Sequence, residues 1–282
     1  MVNKYMGLLI LNEKEDNIMS LTKNRPLASI PFAGRYRIID FALSNLVNFR
    51  VNNVGIITQS NSRSLIDHLG SGSHWDLDRK RSGIFVFNFS SYTNDINDAK
   101  ILMDNLEYLY RSKEEYVIVS SSYMICNINY EEAAKFHEES NADITVISTK
   151  TGNGKKEYLG CDALNVDENN KVLSVGKNYG GHNDLNISME MYLMKKDILI
   201  DLLYKTVETG YYSSIKEAIN KNISNINIKN FEFKGYVKCI NSIDAFYKAN
   251  MDMLNLEKSR ELFFKNGLIM TKVMDEAPAK YT

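Results

Sequence analysis

Residues 31–45 read PFAGRYRIIDFALSN, and the reading of this stretch decides the fold. Pro31 and Gly34 mark a turn, because proline presets φ and glycine accepts conformations other residues avoid. Arg35 and Arg37 follow at once. Ile38, Phe41, Ala42 and Leu46 then recur at the spacing of one helix face, which predicts a helix over 38–49 packed on a core. Asp40 falls in its first turn, where a carboxylate suits the positive end of the helix dipole. An apolar run over 5–11 reads as a buried strand ahead of the turn. A basic turn joining a buried strand to a buried helix is how an α/β domain frames an anionic ligand, and arginines that merely keep a loop soluble are the alternative.

Working outward, short β-branched runs at 54–58, 116–120 and 144–149 read as further strands. Helical patterns lie between them at 62–69, 99–113 and 130–140. Strands alternating with helices argue for an α/β fold with an open, largely parallel sheet covered on both faces. After about residue 157 the texture changes. The runs 161–166 and 171–175 flank DENN at 167–170 and predict a hairpin. A strand at 187–194, helices at 197–207 and 214–220, and a strand at 226–233 follow. A helix over 242–254, with Ser242 as its N-cap, closes the domain.

Composition narrows the function classes. The 282 residues are 44% hydrophobic and 24% charged, with a formal net charge of −1, so no electrostatic case exists for nucleic acid or an anionic membrane. No apolar run reaches membrane-spanning length, and MVNKYMGLL lacks the build of a signal peptide. Cys126, Cys161 and Cys239 are odd in number, widely spaced and form no CxxC pair. That indicates neither a disulfide framework nor a zinc site and suits a reducing cytoplasm. His68, His74, His137 and His182 show no ligand-like spacing.

PFAGRYRIIDFALSN resembles the PFGGKYRIIDFALSN segment of the glucose-1-phosphate adenylyltransferase (ADP-glucose pyrophosphorylase) family. The resemblance continues through VGIITQ (54–59), SLIDH (64–68), WDLDR (75–79) and KANMD (248–252). It implies a GT-A-like, Rossmann-like nucleotidyltransferase domain over 1–254, with a mixed, mainly parallel sheet flanked by helices. Residues 255–282 would then be a connector toward a C-terminal left-handed β-helix absent from this chain. It also implies a reaction in which the phosphate of glucose 1-phosphate attacks the α-phosphorus of ATP. The protein would contribute a glycine-rich loop, basic side chains and Mg²⁺ held by two aspartates.

Several of those parts are missing here. Where the family has GGxGxRL, residues 12–18 read NEKEDNI, with no glycine and with Asn17 in the arginine's place. Glu13, Glu15 and Asp16 against Lys14 predict a solvated acidic turn that repels a polyphosphate. Against the family's RAKP stands Arg25-Pro-Leu-Ala28, so Leu27 replaces a phosphate-binding lysine while Arg25 survives. The RGTADA turn aligns with INDAKI at 96–101. Tyr123 and Cys239 occupy the positions of the two metal-binding aspartates. Lys177 matches the lysine of the family's FVEKP sugar-phosphate site, although a lone lysine beside a strand also serves solubility. Asp76 and Asp78 form a DxD, but the family carries WDLDR there as well.

The resemblance therefore points to a GlgD-type regulatory, catalytically impaired subunit in ADP-glucose and glycogen biosynthesis. No residue is assigned to catalysis and none to a metal, the family's Mg²⁺ being expected to be lost. Lys177, Arg25 and Arg35 are the vestigial sugar-phosphate candidates. The expected partner is a GlgC-type catalytic subunit in a hetero-oligomer, and the expected residual ligand is a sugar phosphate or phosphate. Two alternatives remain open: an active nucleotidyltransferase making ADP-glucose, and a free-standing sugar-phosphate sensor.

Overall fold

Seven consecutive buried residues, YMGLLIL, put the first strand at the centre of a sheet. In the computed structural model, which describes residues 4–13, 15–58, 61–79, 82–88, 98–210 and 214–273, the first half of the chain runs β1 (Tyr5–Leu11), α1 (Ile38–Asn48), β2 (Asn53–Thr58), α2 (Arg63–Leu69), β3 (Gly83–Asn88), α3 (Asp98–Asp104), α4 (Leu106–Arg111) and β4 (Tyr116–Ser120). The second half runs β5 (Met124–Cys126), α5 (Tyr130–Glu139), β6 (Ile144–Thr151), β7 (Asp162–Val166), β8 (Val172–Lys177) and β9 (Leu185–Lys195). It ends with α6 (Lys196–Thr209), α7 (Ile215–Lys221), β10 (Ile228–Glu232), β11 (Val237–Cys239), α8 (Ile243–Asp252) and α9 (Leu256–Phe264). A few shorter turns and bridges lie between these elements.

β1 pairs in parallel with β2 on one side and β4 on the other, and β3 extends the sheet beyond β2. β9 then runs antiparallel to β4 and β6, while β10 is parallel to β6. The hairpin of β7 and β8 attaches through Ala163 opposite Ile187. This is the α/β sheet that the residue pattern predicts, and it is mixed and mainly parallel as the family resemblance implies. Its two faces bury separate cores, as period-two strands require. Leu9 and Leu11 of β1 join Phe41 and Leu46 of α1 on one face, while Met6, Leu8 and Ile10 join Leu199, Leu202 and Leu203 of α6 on the other. A Cβ on Gly7 would meet Leu46 Cδ1 at 2.7 Å, so the glycine lets α1 sit close on the sheet.

The predicted strand 5–11 and the helices at 38–49 and 130–140 agree with the structure to within a residue at each end. Ser242 accepts from Ala245 N at 3.2 Å and caps α8 as expected. The helix predicted over 99–113 is instead two. At Asn105 (φ −118°, ψ 26°) the side-chain amide donates to Ile101 O at 2.9 Å and the backbone N–H turns to Leu102 O. The asparagine side chain thus makes the bond that a continuing helix would give its backbone.

Four of these elements were not foreseen, among them the short paired strands β5 and β11. β3 exposes Phe85 and Val86 and shows no clean alternation. α9, in the stretch read as a connector, buries Leu262 and Phe263. Beyond it Ile269 is also buried, and Met270 N donates to Ser44 Oγ of α1 at 2.8 Å. Residues 274–282 lie outside the described residues.

Candidate functional site

A cavity of about 380 Å³ opens beyond the carboxyl ends of β1 and β4, lined there by Ile10, Asn12, Val119, Ser120 and Ser121. From β1 the chain passes first to β2 on one side and later to β4 on the other, and such a switch point leaves a crevice where ligands bind in open α/β sheets. The opposite wall comes from Cys161 and Lys177 at the two ends of the β7–β8 hairpin, Glu190 on β9 and Lys216 on α7. Ser121 Oγ, buried in this lining, has no hydrogen-bond partner among the described residues.

The loop after β1 is not the solvated acidic turn expected from its composition. Glu13 Oε1 accepts from both Ser122 N and Ser122 Oγ, each at 2.7 Å. Glu15 Oε1 accepts from Leu27 N at 2.8 Å. The physical reason is that Ser122 and Leu27 are buried and their N–H groups require acceptors, which glutamates on a neighbouring loop can reach. Burial pushes the Glu13 carboxyl up to about 7, against the lowering effect of the Ser122 hydrogen bonds. Burial likewise raises Glu15. Lys14 lies outside the described residues.

Asp98 at the start of α3 also lines the cavity and is buried. Its Oδ2 accepts from Asn12 Nδ2 at 2.7 Å and its Oδ1 from Ile215 N at 2.8 Å, tying the β1 loop to α7. Burial outweighs these bonds and pushes the carboxyl up to about 6. Residues 96–97 of the turn aligned with RGTADA lie outside the described residues.

Glu190 owes its place to an irregularity in β9. The register against β6 shifts between Ser188 and Met191, and Glu190 takes φ 53°. A non-glycine residue held there is strained, and a bulge of this kind re-aims a side chain. The carboxylate bonds Lys216, whose Nζ also lies 3.4 Å from Asp162 Oδ2. Burial works against the Lys216 charge, yet Glu190 and Asp162 outweigh it and raise the ammonium's pKa. Lys177 Nζ takes the other oxygen of Asp162 at 3.1 Å. The lining thus holds four carboxyl groups, Glu13, Asp16, Asp98 and Glu190, against two lysines already engaged by the chain's own acids.

Tyr123, buried, lines this cavity, and Cys239 is buried next to it but outside the lining. Burial, then the nearby Glu190 carboxylate, raises the Tyr123 phenol well above its ordinary value. Burial and the Cys161 thiol do the same for Cys239. Both groups are therefore protonated at neutral pH. Mg²⁺ takes hard, anionic or strongly dipolar oxygens, so a protonated phenol and a thiol do not fit it.

Of the vestigial candidates, Lys177 lines the cavity, whereas Arg25 and Arg35 are not among its lining residues. Arg35 is exposed. Arg37 donates through Nη1 to Ser64 O and Oγ, both at 2.8 Å, and so pins α1 to α2. Asp76 pairs with Arg79, next to it on the same loop. His68 meets Asp40 and His137 meets Thr145, both as buried structural pairs. Asp98, Glu190 and Lys216 were not singled out from the sequence. Asp98 stood within an aligned motif, but Glu190 and Lys216 are joined only by the fold.

Comparison with known proteins places this geometry. The nucleotidyl transferase family model matches residues 16–255. The glycogen biosynthesis protein GlgD of Bacillus subtilis is 32% identical over 99% of this chain and 72% of its own length. GlgD of Geobacillus stearothermophilus is 31% identical over 100% of the chain and 73% of its own. A glucose-1-phosphate adenylyltransferase of Clostridium novyi is 29% identical over 100% of the chain and 75% of its own. In fold, the chain is similar to a crystal structure described as a glucose-1-phosphate thymidylyltransferase from Bacillus anthracis, with a TM-score of 0.69 at 12% identity over 88% of this chain and 94% of that one. The buried sheet, the crevice at its switch point and these similarities along this chain agree, and the chain belongs to the nucleotidyl transferase family, in its glucose-1-phosphate adenylyltransferase and GlgD branch.

Proposed function

We propose that this chain serves ADP-glucose and glycogen biosynthesis as a catalytically impaired, regulatory subunit that acts on a catalytic, GlgC-type partner. The similarity to two GlgD proteins and to a glucose-1-phosphate adenylyltransferase supports the pathway. The observation that carries the impairment is the protonated, buried pair of Tyr123 and Cys239 at the positions where the family resemblance implies metal-binding aspartates. Glu13 adds to it. Its carboxyl sits on the Ser122 N–H and hydroxyl beside the crevice, so these donors are not free for a phosphate. Each lost element of charge stabilisation costs on the order of 10² or more in rate.

The crevice keeps features of a ligand site: Ser121 Oγ, without a partner among the described residues, and two lysines on one wall. Its vestigial ligand is a sugar phosphate or phosphate held at Lys177, a small anion that does not need the missing metal. Arg25 and Arg35 stand apart from that wall and belong to the proposal as surface cations that draw an anion in.

Co-expression with a GlgC-type subunit is the test, with co-purification, KM and kcat for ADP-glucose formation as readouts. A stable complex with altered kinetics supports the reading. If the chain neither binds nor changes either constant, the free-standing sensor becomes the better account. Pyrophosphate release by the chain alone from ATP and glucose 1-phosphate would instead make it an enzyme.

A further inference from the structure

Three cysteines are scattered along the sequence, but the fold brings two of them together. Cys161 Sγ and Cys239 Sγ lie 3.2 Å apart, both buried and both free. They come from separate places: Cys161 ends the loop before β7, and Cys239 ends β11. Cys126 lies on β5, opposite Val237 rather than Cys239 of the paired β11, and its thiol meets the Asn45 amide at 3.9 Å.

Access differs between the two paired thiols. Cys161 lines the cavity, while Cys239 sits behind it and is not among the lining residues. A small oxidant entering the crevice therefore meets Cys161 first. Asn241 Nδ2 lies 3.7 Å from Cys161 Sγ and also donates to Leu159 O at 2.7 Å, which holds this part of the loop against the chain after β11. Bringing the sulfurs to bonding distance takes a movement of about 1 Å, since a disulfide is about 2 Å long.

We infer that Cys161 and Cys239 form a reversible thiol–disulfide site on the wall of the crevice, with a small peroxide as its oxidant. The Cys161 thiolate attacks the peroxide, the O–O bond breaks, and a sulfenic acid forms as hydroxide leaves and takes up a proton as water. The Cys239 thiol then attacks that sulfur. The S–S bond forms, the S–O bond breaks, and the thiol proton leaves with the hydroxyl as a second water. Two thiols lose two electrons and two protons, and one hydrogen peroxide becomes two waters. A dithiol of small-molecule class returns the pair to the reduced state. Burial keeps Cys239 protonated, so the second step is slow at neutral pH and faster in alkali.

The bond would clamp the loop ending at Cys161 to β11. Asn178 N donates to Cys161 O at 2.9 Å, directly after Lys177, so the clamp acts on the strand end that carries the crevice lysine. It would close a loop of 78 residues in sequence. A cross-link of that span restricts the unfolded chain and raises the thermal midpoint by several degrees.

The experiment treats the full chain with hydrogen peroxide at pH 8.5, quenches it with an alkylating agent, and reads intact mass, peptide map and thermal midpoint. The expected product is monomeric, lighter by two hydrogens, cross-linked between the Cys161 and Cys239 peptides, and restored by dithiothreitol. The Cys126→Ser chain should give the same cross-link, and the Cys239→Ser chain should give none and stop at oxidised Cys161. Three results would overturn the inference: no mass change in folded protein, a cross-link involving Cys126, or over-oxidation of Cys161 in the wild-type chain with Cys239 still free. If Cys239→Ser fails to fold, the wild-type and Cys126→Ser maps decide the matter alone.

Discussion

Glu13 and Ser122, 109 residues apart, are joined by two hydrogen bonds of 2.7 Å each, from the Ser122 amide and hydroxyl to one carboxylate oxygen. The contact closes the loop after β1 onto the end of β4. A glycine-rich loop would leave such N–H groups for a phosphate. Here the chain fills them with its own carboxyl group.

Burial of this carboxyl, which outweighs the Ser122 bonds, makes stability depend on pH in a definite direction. The folded Glu13 carboxyl sits at about 7 against an ordinary 4.5, so the folded state holds the proton more tightly. Its stabilising contribution is complete below pH 4.5 and is lost as pH rises through 7. Glu13→Gln removes that loss. We expect the variant to be more stable than the wild-type chain at pH 8 by on the order of 1–2 kcal/mol, with no such gain at pH 4. Urea midpoints at both pH values measure it, and equal differences at the two would contradict the assignment.

Anion binding in the crevice should strengthen as pH falls. Glu13, at about 7, and Asp98, at about 6, lose their charge between pH 8 and pH 5.5 and leave Lys177 and Lys216 less opposed. Calorimetry with inorganic sulfate, an anion whose charge does not change over this range, is expected to show a several-fold tighter Kd at the lower pH. Lys177→Ala should weaken binding about tenfold, the loss of one charge-assisted bond. Affinity that is unchanged by both acid and the substitution places the anion elsewhere.

Restoring the two carboxylates should not restore catalysis. In the Tyr123→Asp, Cys239→Asp double variant, Glu13 still occupies Ser122 and Glu190 still holds Lys216. ADP-glucose formation is expected to stay more than 10³-fold below an ordinary turnover of ~10 s⁻¹. Turnover near that value would show that the metal positions alone were limiting.

Asp40 is structural despite its polar neighbours. It is fully buried, accepts from Arg37 N at 2.8 Å and meets His68 Nε2 at 2.6 Å, so it caps α1 and fixes α2 together. Asp40→Ala is expected to cost ~2–4 kcal/mol, from a lost cap and an orphaned buried histidine. A chemical denaturation curve checks this, and a loss below 1 kcal/mol would mean that the helix start repacks.

What residues 31–45 and the apolar runs determined by themselves was the scaffold. Periodicity is local, and burial of β1, α1 and β4 follows from it wherever the chain is placed. The Ser242 cap and the hairpin around residues 167–170 were legible for the same reason, since their bonds span a few residues. The break at Asn105 was not, because a side chain competing with the backbone leaves an apolar stripe unchanged. In the site, the identities of Tyr123, Cys239 and Lys177 could be read from aligned words, but their surroundings could not. Only the tertiary structure turned Glu13 and Glu15 inward, set Lys216 between Glu190 and Asp162, and brought Cys161 to Cys239. Each of these contacts joins distant parts of the chain. Buried donors and charges must find partners, and which partner lies in reach is decided by how the sheet and its loops are packed.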